Sequence, residues 1–521
     1  MMNYALTNHW QRYSTSFMVL LATIIFHVFF FERSLGLNLT FFSLLITVFL
    51  VQRNSFNTLS GPARMAMVGA LVASAMFYVH HSIIAGFAVI LALGIFSAVA
   101  NEARLRSVFF TGVQLFGNYF MLPIAALGKL DDVALSRGAS RKGWRWTKLA
   151  LFPLLIVVIF FHLYRAGNPK FESLTAGFLE AFENVFADLF DHLFTWQTMF
   201  FLFGLIVCAG LLLRTVPSLI LQWEQQFADV LVRIRIRRPS WAKPLAMDPL
   251  ERERRMGMIL LLAVNALLLV VNIIDISWVW VGFEVPEGFS LKQFVHEGTW
   301  MLIVSILLSM MILMYLFRAN LNFYSRNVGL KRLAMLWIAQ NFILGMSVFL
   351  RNYHYISFHG LAYKRVGVIV FLALVLVGLV TLFMKVYSRK SVFYMVRVNG
   401  WAAFAVLIGL TTVDWDIFIV RHNLEHPNKG EIDIDNYLSM SDKVLPMLYA
   451  NVDVVEAQMA QHRTNNVRWV YHLDPNTFKA ELDSKRDRCI ARIEGLDLLE
   501  SNLADRRTLK ALVELNEAGR P

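Results

Sequence analysis

Apolar runs long enough to cross a bilayer, separated by short polar links, recur from residue 17 to residue 413. A helical span needs about 20 predominantly apolar residues. The pattern therefore predicts an all-α, polytopic membrane protein and not a soluble core. Phe17 to Phe31 and Leu37 to Val51, joined through Glu32 and Arg33, form a first helical hairpin. Met65 to Val79 and Ile83 to Ala100 form a second, turning at His80, His81 and Ser82. Adjacent histidines on a helix point about 100° apart, so a shared metal is not expected there.

Gly112, Gly117, Asn118 and Pro123 interrupt the run from Val108 to Leu127, which is predicted to be interfacial or re-entrant. Seven further runs, beginning at Leu149, Met199, Met256, Thr299, Leu333, Val366 and Val398, bring the count to about eleven crossings. Between them, Phe178, Phe182, Phe186, Leu189 and Leu193 recur at helical spacing among acidic residues. They predict an amphipathic helix on the outer membrane surface, with a lid over a cavity as the sharper reading. From Arg233 to Arg238, Arg alternates with Ile before a closing Arg pair, as in an extended basic segment at the lipid surface or at a cytoplasmic partner.

These elements divide the chain into a cytoplasmic N-terminus (1–16), N-terminal hairpins with a basic link (17–148), a main transmembrane bundle (149–420) and an extracytoplasmic helical tail (421–521). The first apolar run lacks a small-residue cleavage site after it and is read as a retained span.

Composition sharpens this picture. Of 521 residues, 57% are hydrophobic and only 17% charged, with a mean hydropathy of +0.53. Soluble domains are nearer about 25% charged. The net charge of +12 is unevenly spread. Residues 421–521 carry 14 Lys and Arg against 17 Asp and Glu, net −3, which leaves +15 on the membrane part. Basic loops between spans mark cytoplasmic faces beside anionic lipid, so no nucleic-acid partner is predicted. The N-terminus is then cytoplasmic, and an odd number of crossings puts the tail outside. Two cysteines, Cys208 and Cys489, make no disulfide framework. Cys489, in the polar tail, is expected to react with an impermeant thiol reagent from outside.

One loop departs from the rule. Arg351 to Arg365 holds Arg351, Lys364 and Arg365 with no carboxylate, on the side where short loops avoid Lys and Arg. Cations there need carboxylate partners or an anionic ligand. Asp275, Glu297, Asp414 and Asp416 are the carboxylates available on that face, and an ion-pair network pinning helix ends is the plainer reading. The sharper one is a site for an anionic lipid or small anion built from Arg351, Tyr355, Lys364, Arg365, Asp275 and Glu297. Asn265, Asn272 and Asp275 share one helix face, and Gln340 shares a face with Arg351, so these amides are expected to line a polar path.

Glu297 and Gly298, then Arg351, Tyr355, Gly360, Leu361 and Arg365, then Asp416 to Asn423 resemble a bacterial integral membrane family. It is the domain of unknown function forty-one seventy-three, related to forty-one fifty-three. Its pattern has Glu-Gly before a span, Arg and Tyr four apart, a Gly-Leu-Thr turn with a following Arg, and Asn after the last span. Ala362 stands where the family often has Thr, so no role of that hydroxyl carries over. The resemblance implies architecture and no activity.

The function expected is that of a bacterial inner-membrane protein, transporter-like or handling a lipid or anion. The alternatives are a membrane-embedded enzyme on a lipid-linked substrate, or an assembly or signalling subunit with an envelope protein partner. In the enzyme reading Asp275, Glu297, Asp414 or His354 would act as acid, base or ligand. No phosphate loop, nucleophile elbow or zinc motif is present in the sequence, so enzyme is the less favoured class. The acidic stretch at Asp433 and Asp435 reads equally well as a solvated helix entrance. No cofactor and no metal is predicted.

Overall fold

In a computed structural model, the residues described are 2–136, 153, 156–157, 160–161, 163–177, 195–215, 219–233, 249–281, 298–318, 320–426, 435–464 and 475–517. Among them every extended element is helical. Eight helices are long and apolar enough to cross a membrane, and two shorter apolar helices, Ser14–Phe30 and Trp196–Leu212, accompany them. Ten of the eleven predicted crossings fall on these helices. The eleventh, from Leu149, lies largely outside the described residues, as do the amphipathic stretch 178–194, Glu297, Asp433 and the basic alternation beyond Arg233.

The chain divides into two compact units. The first holds α1 (Met2–Phe30) and α2 (Leu37–Asn54), the start of α3 (Gly61–His80), the end of α4 (Ile83–Asn101), most of α5 (Val108–Ser136) and α6 (Trp196–Leu212). The turn between α1 and α2 is tied by Asn38, whose amide donates to Phe29 O and Ser34 O at 2.8 Å each. α5 runs as one helix through all four predicted interruptions, with Pro123 inside it. Its Asn118 serves the end of α6, donating to Gly210 O at 2.7 Å and Leu213 O at 2.6 Å and accepting from Thr215 N. A side-chain amide can do this because the last turn of a helix leaves its carbonyls without intrahelical donors.

The second unit holds the rest of α3 and α4, then the end of α7 (Leu219–Gln226), α8 (Pro249–Asp275), α9 (Thr299–Leu316), α10 (Val328–His359), α11 (Tyr363–Ser388) and α12 (Val392–Thr411). The tail adds α13 (Trp415–Glu425), α14 (Asp435–Ser439), α15 (Leu445–Ala450), α16 (Val452–Thr464), α17 (Pro475–Glu494) and α18 (Leu503–Glu517). The bundle is apolar outside, and amides are buried among its apolar core. Along α8, Ile259 and Leu267 are 72% and 68% exposed while Asn265 and Asn272 are 6% and 3% exposed. That inversion suits a hydrocarbon solvent, which rewards exposed leucine and penalises exposed amide.

Basic turns gather at one end of this unit. Lys385 Nζ donates to Phe317 O at 2.6 Å, Arg397 pairs with Asp229 at 2.9 Å, and Leu231 N donates to Arg389 O. The tail gathers at the other end, where Lys443 Nζ reaches His80 O at 2.8 Å. Its core combines Phe478, Leu482 and Cys489 of α17 with Ile356 and Leu361 from the bundle. Cys489 is therefore 1% exposed, and burial pushes its thiol up to about 12. This contradicts the expected reactivity of Cys489, because the thiolate is the reacting species.

Candidate polar seam between two parallel spans

α8 and α10 run in the same direction, as the spacing of their bonded residues shows. Asn265 Nδ2 donates to Leu333 O at 3.1 Å and Asn272 Nδ2 to Gln340 O at 3.1 Å, both across 68 positions. Gln340 Nε2 donates to Asn265 Oδ1 at 2.8 Å across 75 positions. An offset that changes only by one seven-residue step marks a parallel pair in steady register. Asn265, Asn272 and Gln340 are thus joined in one hydrogen-bonded seam.

The seam ends at an ion pair. Arg351 Nη2 is bonded to Asp275 Oδ1, with side chains 8% and 4% exposed. Immediately after Asp275 the helix widens into a single π-helical turn, Ile276–Trp280. Trp280 Nε1 from this turn donates to Ser347 Oγ at 2.9 Å, and His354 Nε2 lies 3.1 Å from Val279 O. Such turns insert a residue into the ladder and recur at functional sites.

Several seam oxygens are left over. Asp275 Oδ2, Asn272 Oδ1 and Gln340 Oε1 are buried and have no hydrogen-bond partner among the described residues. The amides cannot be turned to relieve this. Each already donates its NH2 to an oxygen, Asn272 to Gln340 O and Gln340 to Asn265 Oδ1, so the leftover atom must be oxygen. At Asn272, Asp275 and Gln340 what remains open is acceptor capacity, which a proton, a water or a donor group on a solute can fill.

Of the other candidates, Tyr355, Lys364 and Arg365 are not in the seam. Arg365 lies at the turn between α10 and α11, its guanidinium 4.6 Å from the Tyr355 ring centroid. It donates to His359 O at 2.8 Å and also to Gly360 O, which caps the end of α10. Gly360 has φ 79, a left-handed backbone that glycine adopts without cost. Asn423 of α13 clamps the next residue, accepting from Leu361 N at 2.6 Å and donating to Leu361 O at 2.9 Å. The residues that carry the family resemblance here thus build a turn and its clasp. Lys364 is exposed on the first turn of α11. Glu297 lies outside the described residues.

Asp414 and Asp416 are taken by a residue that the sequence did not flag. Lys443 Nζ lies 3.0 Å from Asp414 Oδ1 and 3.4 Å from Asp416 Oδ2. Asp416 also accepts from Tyr363 Oη and Ser441 Oγ, each at 2.6 Å. A buried lysine in the tail has no periodic signature, so only its position in the fold reveals this. His80 Nδ1 is 3.6 Å from Asp414, while His81 Nδ1 lies 2.7 Å from Asn502 Nδ2, so the adjacent histidines do serve different partners. No group of three or more His, Cys, Asp or Glu among the described residues could hold a metal ion.

Beside the seam, on α10, an open apolar groove of about 370 Å³ is lined by Trp280, Met346, Phe349, Leu350, Tyr353 and Ile369 among others.

Compared with known families, residues 65–451 match one described as Domain of unknown function (DUF4153). The match bears out a domain of unknown function and does not confirm the number forty-one seventy-three. No curated protein and no solved structure matches the chain.

Proposed function

Because the chain belongs to the DUF4153 family, whose description carries no activity to inherit, we propose from the geometry alone a transporter-like membrane protein. Its working element is the α8–α10 seam. The observation that carries this reading is the set of buried oxygens left open along a hydrogen-bonded path between two parallel spans.

Magnitudes favour work over adhesion. Interhelical bonds inside membranes are worth only about 0.6–2 kcal/mol each. An unsatisfied buried polar group costs about 1–3 kcal/mol, and a buried ion pair is often no more stabilising than apolar side chains of the same volume. A seam that only glued two helices would do better with small or apolar residues. Ionisable and amide groups kept within a span instead suit a path for water and charge.

The orientation follows the positive-inside rule, with the basic end in the cytoplasm and the tail outside, in a bacterial inner membrane. Water access tests the reading. In a protein lacking Cys208 and Cys489, cysteine at Gln340 or Asn265 is expected to react with a small methanethiosulfonate reagent in native membranes, while cysteine at lipid-facing Leu267 does not. If both seam positions stay unlabelled from either side, the seam is adhesive and the reading fails.

The apolar groove supports a second reading, retention of an anionic lipid. Its wall includes Ile369, about one and a half turns along α11 from the exposed Lys364. Arg365 and Tyr355 sit at the same turn, where aromatic and basic side chains meet lipid headgroups.

A further inference from the structure

The open oxygens of the seam have a chemistry more specific than polarity. Asn272 and Asp275 lie three apart on α8, so their side chains are neighbours on one helix face. Each has one buried oxygen without a partner among the described residues. Two acceptors side by side cannot bond to each other. One proton resolves both, since a protonated Asp275 becomes an O–H donor directed at an amide oxygen that needs one.

Resting on the seam reading above, we propose that Asp275 is a proton-binding site, with Asn272 as the acceptor of the bound proton's hydrogen bond and Arg351 as the displaced counter-ion. The proton comes from water and adds to Asp275 Oδ2. The carboxylate becomes a neutral carboxyl, and no other covalent bond changes. Arg351 keeps its charge throughout. Neutralising Asp275 weakens the compensation of a buried guanidinium, which is costly. Arg351 lies eight residues before His359, the last residue of α10, about 12 Å along the axis.

A permanent cation fits less well. Metal ions such as Mg²⁺ and Ca²⁺ want about six or more oxygens, and Arg351 already presents a full positive charge one bond from the carboxylate. A proton needs one acceptor and cancels a charge. The ionisable groups facing Asp275 from α10 are Arg351 and, one turn further on, His354, whose ring is engaged with Val279 O. The π-helical turn Ile276–Trp280 contributes none.

Infrared spectra of the protein in lipid, recorded as pH is lowered, read the carboxyl directly. The expected result is a protonated-carboxyl C=O band that is lost in Asp275→Asn, kept in Asp416→Asn, and shifted in Asn272→Ala, where its hydrogen-bond acceptor is gone. Should Asp275→Asn fail to fold, Asp275→Asn with Arg351→Gln removes both charges and carries the same test. A band unchanged without Asp275, or unmoved in Asn272→Ala, overturns the proposal. If that happens while seam cysteines still label, the seam admits water without a proton site. If the cysteines do not label, the reading beneath it has failed.

Discussion

At the scale of single residues, the chain handles its misplaced cations one by one. Arg351 is paired with Asp275 inside the bundle, Arg365 lies over Tyr355 and caps α10, and Lys364 faces out. Asn423 does the least conspicuous work. Its amide satisfies both backbone groups of Leu361, much as a neighbouring strand would. Asn423→Ala leaves that buried N–H and C=O unmet, and we expect a loss of about 1–3 kcal/mol for each group left bare, seen as a lowered unfolding midpoint in detergent. The sequence offered Arg351 four carboxylates without choosing among them, and the alignment of Asp275 with Asn265 and Asn272 on one helix face was the trace that pointed to it. The pairing of Lys443 with Asp414 and Asp416 was not, because a contact between distant segments leaves no periodic trace.

Elements explain what the sequence could supply and what it could not. Hydrophobic run length was sufficient to find the spans, since the bilayer imposes a length that a soluble core does not. Helical periodicity was sufficient to find the seam. At α5, glycines and Pro123 pointed to interruption and the helix continues for 29 residues, since a proline removes one hydrogen bond whose loss neighbours can absorb. α5 is not among the helices long and apolar enough to cross a membrane. The π-helical turn after Asp275 has no sequence signature of its own, and neither has the groove on α10. Filling that groove by Met346→Trp or Ile369→Trp is expected to strip lipid adducts from the gently purified protein in native mass spectra. Adducts identical to wild type would remove the lipid reading.

For the molecule as a whole, charge and burial divide the labour. In the second unit the basic turns sit at one end and the tail at the other, as the charge count of the chain predicts. The tail is tied to the bundle through Leu361 and Ile356 in a shared core, which is why Cys489 is sealed. The claim on which the rest depends is that Arg351 is answered by Asp275 within the protein. A double-mutant cycle in thermal unfolding tests it, using Asp275→Asn, Arg351→Gln and the pair together. Either single change leaves one buried charge and is expected to cost about 3–5 kcal/mol. The double change should recover much of that loss, with a coupling of about 0.5–3 kcal/mol. Losses that simply add would mean that Asp275 is not what answers Arg351, and would contradict the account.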